Sequence, residues 1–294
     1  ADGHFRRRYG VDASGAGYVE EETCASPTYC VPGAHGRCNA PAAGVIDDFE
    51  RGTTTFFEGG LAILQHDGRN GPWYAWGAAE LGLVESSAAS TGAFSSLGVT
   101  VPELSGTTFS GAGFLFRTGG EGDQPFDASA YAGLYLIARS STNSALRLAL
   151  TDGPGMPADG CAGAGCVENP LKSEPFTPAS DWRSFRWDFG DFTRDDSAPA
   201  ALPDAVAVTD LRKLGLGFDS ATPAAQSLEL DEIGFYPDSV SGDCTTGGWA
   251  CLGPVLQRCN AAGTALDTMD VCTSAQACST GRAAASAEAS ASRP

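Results

Sequence analysis

Three aromatic side chains, Trp73, Tyr74 and Trp76, crowd together just after the turn-forming run Gly68-Arg69-Asn70-Gly71-Pro72. Flat rings of this kind stack on the apolar C–H faces of sugars while polar neighbours bond the hydroxyls. Asp67, Arg69 and Asn70 stand where such neighbours would be needed. The same rings have a plainer reading. Alternation along a strand puts Trp73 on one face and Tyr74 and Trp76 on the other, so at least one of them belongs to a core. A denser aromatic group, Trp182, Phe185, Trp187, Phe189 and Phe192, reads as core throughout.

Acidic residues offer a second chemistry. Val45-Ile46-Asp47-Asp48-Phe49-Glu50 and the distant Leu228–Tyr236 segment both alternate apolar and acidic positions, the pattern of half-buried strands. They read as the first and last strands of one domain. If the two pair, Asp47, Asp48, Glu50, Asp231 and Glu232 form an oxygen-rich cluster suited to a structural calcium, which takes about six to eight hard ligands. The alternative is a pair of solvated acidic faces. No other cofactor is expected. Catalysis has little support: His4, His35 and His66 are scattered, and neither an HExxH nor a GxSxG motif is present. The adjacent carboxylates Asp195 and Asp196 would point to opposite faces of a strand, a poor arrangement for glycoside hydrolysis. The chain is therefore expected not to be an enzyme.

The cysteines bear on compartment. Cys24, Cys30 and Cys38 are spaced C-x5-C-x7-C, and Cys244, Cys251 and Cys259 follow as C-x6-C-x7-C, each set closing on Arg-Cys-Asn-Ala. The two read as copies of one repeat, the second extended by Cys272 and Cys278. Cys161 and Cys166 lie close enough in a Gly-rich loop to bridge each other, which leaves odd numbers on either side. If every cysteine is oxidised within the chain, at least one bridge must join the two ends. Zinc is the rival reading, but C-x2-C spacing is absent and His35 is the only histidine nearby. Ten cysteines fit an oxidising compartment, so the chain is expected to be secreted or at the cell surface, its leader removed before Ala1.

A net charge of −18 disfavours nucleic acid and anionic lipid as partners, and no apolar run is long enough to span a membrane. Gly 38 and Pro 17 with only 18 Lys plus Arg describe a turn-rich chain poor in long helices. Short β-patterned runs broken by Gly, Pro, Asn and Asp fall near 45–50, 54–65, 73–78, 92–101, 107–117, 132–139, 145–151, 182–189, 211–218 and 226–236. The implied fold is all-β, an antiparallel β-sandwich of the jelly-roll type at 45–238, with small disulfide-rich segments at 24–44 and 239–280. Residues 1–23 form an arm without sustained periodicity, and 281–294 form a low-complexity tail.

The segments Ile46–Glu50, Gly68–Tyr74, Gly111–Phe114, Phe126–Tyr135, Asp181–Phe185 and Leu230–Tyr236 resemble, in order and spacing, bacterial extracellular domains of the galactose-binding-like jelly roll. Myxobacterial secreted proteins and lipoproteins use this set. Their loop cysteine pair resembles Cys161 and Cys166, and their flanking repeats resemble the cysteine units here. The resemblance implies an antiparallel sandwich, often a non-catalytic carbohydrate-binding module and sometimes one with a structural calcium; it transfers no substrate. Two functions follow. One is binding of a polysaccharide or cell-surface glycan through the aromatic turn. The other is self-assembly of an extracellular filament or coat, in which the arm, roughly 75 Å if extended, adds a strand to a neighbour.

Overall fold

A computed structural model describes residues 5–11, 17–23, 29–31, 37–39, 44–47, 49, 56–57, 60–61, 69, 71–85, 95–102, 110–119, 122–157, 168–194, 199, 201–218, 224–241, 244, 246–252, 254–272 and 278. At 5–11, 17–23, 29–31, 37–39, 56–57, 60–61, 118–119 and 122–123, and at Glu85, Ser95, Val240 and Leu252, the backbone alone is described.

Two antiparallel six-stranded sheets form the sandwich. In chain order the strands are β1 (Val45–Asp47), β2 (Trp73–Trp76), β3 (Glu80–Glu85), β4 (Ser95–Val101), β5 (Gly111–Leu115), β6 (Gly133–Arg139), β7 (Leu146–Asp152), β8 (Leu171–Lys172), β9 (Arg183–Asp188), β10 (Thr193–Arg194), β11 (Leu211–Phe218) and β12 (Gln226–Tyr236). The first sheet runs β9-β6-β12-β4-β3, with β1 also paired to β12; the second runs β10-β8-β7-β11-β5-β2. The first and last strands of the domain do pair, Asp47 lying opposite Ile233.

Alternation places Leu97, Val99, Leu134, Leu136, Leu146, Leu148, Leu214 and Leu216 in one shared core. At its centre Phe235 stacks on Phe116 and Phe126, each with ring centroids 5.6 Å apart. Strand β12 would fall out of phase but for a β-bulge at Asp231. Ile137 pairs with Glu232 and Ala138 with Leu230, so Leu228 and Leu230 before the bulge and Ile233 and Phe235 after it all face inward.

Some expected strands differ. The run 45–50 stops at Asp47, because Phe49 takes a left-handed φ of 55° and donates its N–H to Asp47 Oδ1 at 3.0 Å, an Asx turn. Within 54–65 the described residues hold two short strands, Phe56–Phe57 and Gly60–Leu61, paired with each other. Strand β3, which contains Gly82, lies where the sequence predicts no strand. The arm is also corrected: Phe5–Val11 and Gly17–Thr23 form an antiparallel hairpin whose register sets Arg6, Arg7 and Arg8 opposite Glu22, Glu21 and Glu20. Opposed charges at successive register positions favour that pairing, a signal that periodicity does not carry.

After the sandwich, β13 (Ser239–Ser241), β14 (Trp249–Leu252), β15 (Val255–Cys259) and β16 (Ala265–Val271) make a small sheet in the order β13-β16-β15-β14. It packs on the outer face of the first sheet, where Tyr135, Tyr236, Val255 and Val271 share a second cluster. Ser184 Oγ donates to the Val271 carbonyl at 2.6 Å and the Thr268 N–H to the Asp238 carbonyl at 2.8 Å. Burial, then a hydrogen bond to Asp188 and that carboxylate's charge, push the Tyr236 phenol well above its ordinary range.

This unit is closed by the disulfides Cys244–Cys259 and Cys251–Cys278, while Cys272 is a free thiol. The expected bridge between the chain ends is therefore not made by any cysteine of the C-terminal unit. Four of its five cysteines pair among themselves, and the premise that all ten are oxidised does not hold at Cys272. The ends of the sandwich are joined instead by β1 on β12. In the N-terminal unit Cys30 lies directly opposite Cys38, whereas Cys251 lies opposite Leu256, so the two copies differ in register. Cys24, Cys161, Cys166, the three histidines, Asp195, Asp196 and the 281–294 tail lie outside the described residues.

One buried ion pair fastens the loops at the β7 end of the second sheet. Arg194 Nη2 reaches both oxygens of Asp152, at 2.8 and 3.1 Å, while its Nε donates to the Pro203 carbonyl and its Nη1 to that of Asn169. Asp152 also accepts the N–H groups of Gly155 and Ala207, each at 3.0 Å. Arg194→Ala leaves that carboxylate buried without its counter-charge, and a loss of about 3–5 kcal/mol is expected in urea unfolding; a loss below about 1 kcal/mol would show that the loops do not depend on the pair. Burial, and secondarily the charge of Asp270, push the Cys272 thiol up. Iodoacetamide is expected to modify Cys272 in the native protein at pH 8 more slowly than in urea, the rate climbing with pH; equal native and denatured rates would contradict this placement.

Candidate functional site

The aromatic triplet is divided between the two faces of β2. Trp73 is wholly buried, its ring 4.8 Å from Phe114, and its Nε1–H donates to Asp47 Oδ2 at 3.0 Å. It belongs to the core, beyond the reach of a sugar. Arg69 is corrected in the same way. It is 1 % exposed, donates to the Val45 carbonyl at 2.6 Å and lies over the Phe126 and Phe235 rings. A guanidinium delocalises its charge and stacks on aromatic faces, which is how a cation is accommodated at such a position. Asp67 and Asn70 lie outside the described residues.

Tyr74 and Trp76 face outward and half-buried, with ring centroids 6.1 Å apart. What lies beneath Trp76 sets its position. Register places Gly111 opposite Trp76 and Gly113 opposite Tyr74, and beyond them Gly217 and Gly215 on β11. A Cβ at Gly111 would come within 2.5 Å of Trp76 Cζ2, one at Gly113 within 3.0 Å of Cζ3, and one at Gly215 within 3.2 Å of Cη2. An indole rooted on β2 reaches β11 in this way only by lying across β5 along the sheet, in space that side chains at four positions would otherwise fill. Strand glycines of this kind mark a close approach of another group. The sequence carries the signal as two period-two pairs, Gly111-Ala112-Gly113 and Gly215-Leu216-Gly217, and only the register of β5 on β11 brings them under one ring.

The outward row through Tyr74 continues across the sheet as Gly113, Gly215, Ala149, Lys172 and Thr193. The row through Trp76 continues as Gly111, Gly217 and Arg147, and a third holds Leu115, Lys213 and Thr151. Lys213 Nζ bonds Glu168 at 2.6 Å. The face is thus an aromatic ledge, Tyr74 and Trp76, whose indole covers the glycines of β5 and β11, with Arg147 and Lys172 on the strands beyond.

The acidic set is also placed. Asp47, Asp231 and Glu232 are buried, not solvated. Both Asp47 oxygens accept N–H donors, from Phe49 and Trp73, and Glu232 Oε1 accepts the Tyr135 hydroxyl at 2.6 Å. A carboxylate holding two N–H donors is poorly disposed to hold a cation as well, so Asp47 does not fit the calcium role. Asp48 and Glu50 lie outside the described residues. Among the described residues no group of three or more His, Cys, Asp or Glu is arranged to hold a metal. The aromatic group at 182–192 packs largely as expected, with Trp187 and Phe192 in the core and Phe185 and Phe189 against it, while Trp182 instead lies beneath the Arg139 guanidinium at 4.7 Å.

The chain is an all-β antiparallel sandwich that carries an aromatic ledge on the outer face of its second sheet. No protein-family model and no curated protein matches it. Among solved structures it is similar to a family 11 carbohydrate-binding module from Clostridium thermocellum in complex with a β-1,3-1,4-mixed-linked tetrasaccharide, at 14 % identity and a TM-score of 0.45, covering 68 % of this chain and 98 % of that one. It is also similar to an exo-β-agarase, at 12 % identity and a TM-score of 0.44, covering 66 % and 25 %. A family 30 carbohydrate-binding module gives 11 % identity and a TM-score of 0.39, covering 55 % and 92 %.

Seating of the indole is open to test. Gly113→Ala should cost about 1–3 kcal/mol by crowding Trp76 and the Leu214 carbonyl. Gly217→Ala, whose nearest neighbour would be Trp76 Cζ2 at an ordinary 3.5 Å, should stay within about 0.5 kcal/mol of the parent. Equal urea midpoints for the two would contradict the arrangement.

Proposed function

We propose that this protein is a non-catalytic polysaccharide-binding module that works outside the cytosol, and that it takes a glycan on the outer face of its second sheet. The observation that carries this reading is Trp76, partly buried and held across four glycines beside Tyr74. Apolar ring surface left at a strand-rich face has a cost in water, and a floor cleared of side chains to hold it makes sense if something flat settles on it. A pyranose ring is flat, apolar on its C–H faces and polar at its edges. The ledge matches the first property, and Lys172, Arg147 and Thr193 offer hydrogen-bond donors for the second. The route to binding is stacking and hydrogen bonding, with no nucleophile or acid–base pair required.

The disulfides Cys244–Cys259 and Cys251–Cys278 support an oxidising compartment. No helix among the described residues is long and apolar enough to cross a membrane.

Affinity electrophoresis against a panel of immobilised plant, algal and bacterial polysaccharides tests the reading. At least one glycan should retard the parent protein, and Trp76→Ala should weaken that binding by about tenfold or more, the scale of a central aromatic anchor. Tyr74→Ala should do so to a smaller extent. Trp76→Ala protein that keeps its thermal midpoint and still binds like the parent would overturn the assignment of this face.

A further inference from the structure

The Arg-Cys-Asn-Ala that closes the C-terminal cysteine repeat lies at a cleft remote from the Trp76 ledge. The cleft has a volume of about 400 Å³ and is bounded by Thr246 and Gly247 before β14, Arg258 at the end of β15, and Asp267 and Met269 on β16. Its walls are tied to one another. The Cys244–Cys259 disulfide joins them, the Gly247 N–H donates to the Cys259 carbonyl at 3.2 Å, and Asn260 Oδ1 accepts the Thr264 N–H at 3.1 Å, which commits that amide to the turn. Register sets Arg258 opposite Trp249 on one side and opposite Asp267 on the other. The Arg258 guanidinium lies over the Trp249 indole, 5.3 Å from the ring centroid, and Nη2 stands 3.9 Å from where a Cβ at Gly247 would be. Arg258 and Asp267 are both exposed, and among the described residues no carboxylate bonds the first and no cation the second. Met269, two residues on from Asp267, is 47 % exposed.

We propose that this cleft is a second carbohydrate contact, which takes a neutral sugar ring by two neighbouring hydroxyls. It goes beyond the ledge on the second sheet and does not depend on it. A guanidinium only donates and a carboxylate only accepts, and here the two stand side by side. A polyanion meets Asp267 and a polycation meets Arg258, so neither is favoured. A ligand that satisfies both carries donors and acceptors on adjacent uncharged groups. Vicinal hydroxyls do this, one accepting from Arg258 and the next donating to Asp267 in charge-assisted hydrogen bonds. The C–H face of the same ring has the Met269 side chain to rest on, and the cleft volume falls in the range of small-molecule sites. Stacking on Trp249 holds the guanidinium before a ligand arrives, and the disulfide does the same for the walls, so binding orders little. The N-terminal copy of the repeat keeps Arg37-Cys38-Asn39-Ala40, but Val31 stands opposite Arg37 where Trp249 stands opposite Arg258, so the contact is assigned to the C-terminal copy alone.

Affinity electrophoresis of the full chain in gels cast with mixed-linked β-glucan, xylan or galactomannan tests the proposal. Arg258→Ala with Asp267→Ala removes the pair from exposed positions, and Ala261→Tyr fills the cleft from its rim while leaving the pair in place. Both proteins should keep the parent's thermal midpoint. On at least one of the three glycans each should bind about tenfold more weakly than the parent, and adding Trp76→Ala should weaken binding further than either change alone. Parent-like retention of both cleft variants on every glycan that retards the parent would overturn the proposal and leave the ledge reading standing. Retention lost in the cleft variants but untouched by Trp76→Ala would support the cleft and overturn the ledge. Free glycine, a zwitterion, should leave retention unchanged; displacement of the glycan by glycine would overturn the assignment to a neutral sugar. Absence of retention on all three glycans, and across the wider panel, would overturn both readings.

Discussion

Strand Gln226–Tyr236 has to be buried on both of its faces, and much of the architecture meets that requirement. It pairs with the strand at Gly133–Arg139 along one edge and with those at Ser95–Val101 and Val45–Asp47 along the other. One face contributes Leu228, Leu230, Ile233 and Phe235 to the core, kept in phase by the bulge at Asp231. The other face presents Glu232 and Tyr236, which a sandwich alone would leave in water. The disulfide-closed C-terminal sheet covers that side, and Tyr135 turns its hydroxyl onto Glu232. Buried carboxylates are tolerated only with donors in place, and Asp47 and Glu232 each have them.

The two outer faces of the sandwich end up with different fates for one physical reason. On both, an aromatic side chain lies across glycine: Tyr135 over Gly234 on the first sheet, Trp76 over Gly111, Gly113, Gly215 and Gly217 on the second. On the first sheet the ring is then sealed under Val255 and Val271 and becomes core. On the second no further layer among the described residues covers the ring, which remains partly exposed. The same local device is therefore part of the core in one place and remains at the surface in the other, and the difference is whether the chain supplies a further layer.

Parts of this were legible beforehand. The strands at 132–139, 145–151, 211–218 and 226–236 fall within a residue or so of those observed, because their alternation matches a one-sided or two-sided burial that the sheets do impose. The run at 45–50 was legible as a strand but not its end, since the left-handed turn at Phe49 depends on a side-chain bond from Asp47 and on a niche against Trp73. The candidate site was half legible. Tyr74 and Trp76 were correctly separated from Trp73 by alternation, but Arg69 was grouped with them by proximity in sequence, and in space it belongs with the core rings.

The sequence by itself determined the β-sandwich, its first and last strands and the presence of a disulfide-rich unit, because two-residue periodicity, turn residues and cysteine spacing act locally and survive in one dimension. It could not say which aromatic rings were buried, which cysteine stayed reduced, or that glycines from two strands distant in the chain meet beneath one indole. Those depend on register between strands far apart in the chain. Register is fixed only when the whole core packs, so the tertiary structure alone decided which rings remain at the surface of the second sheet.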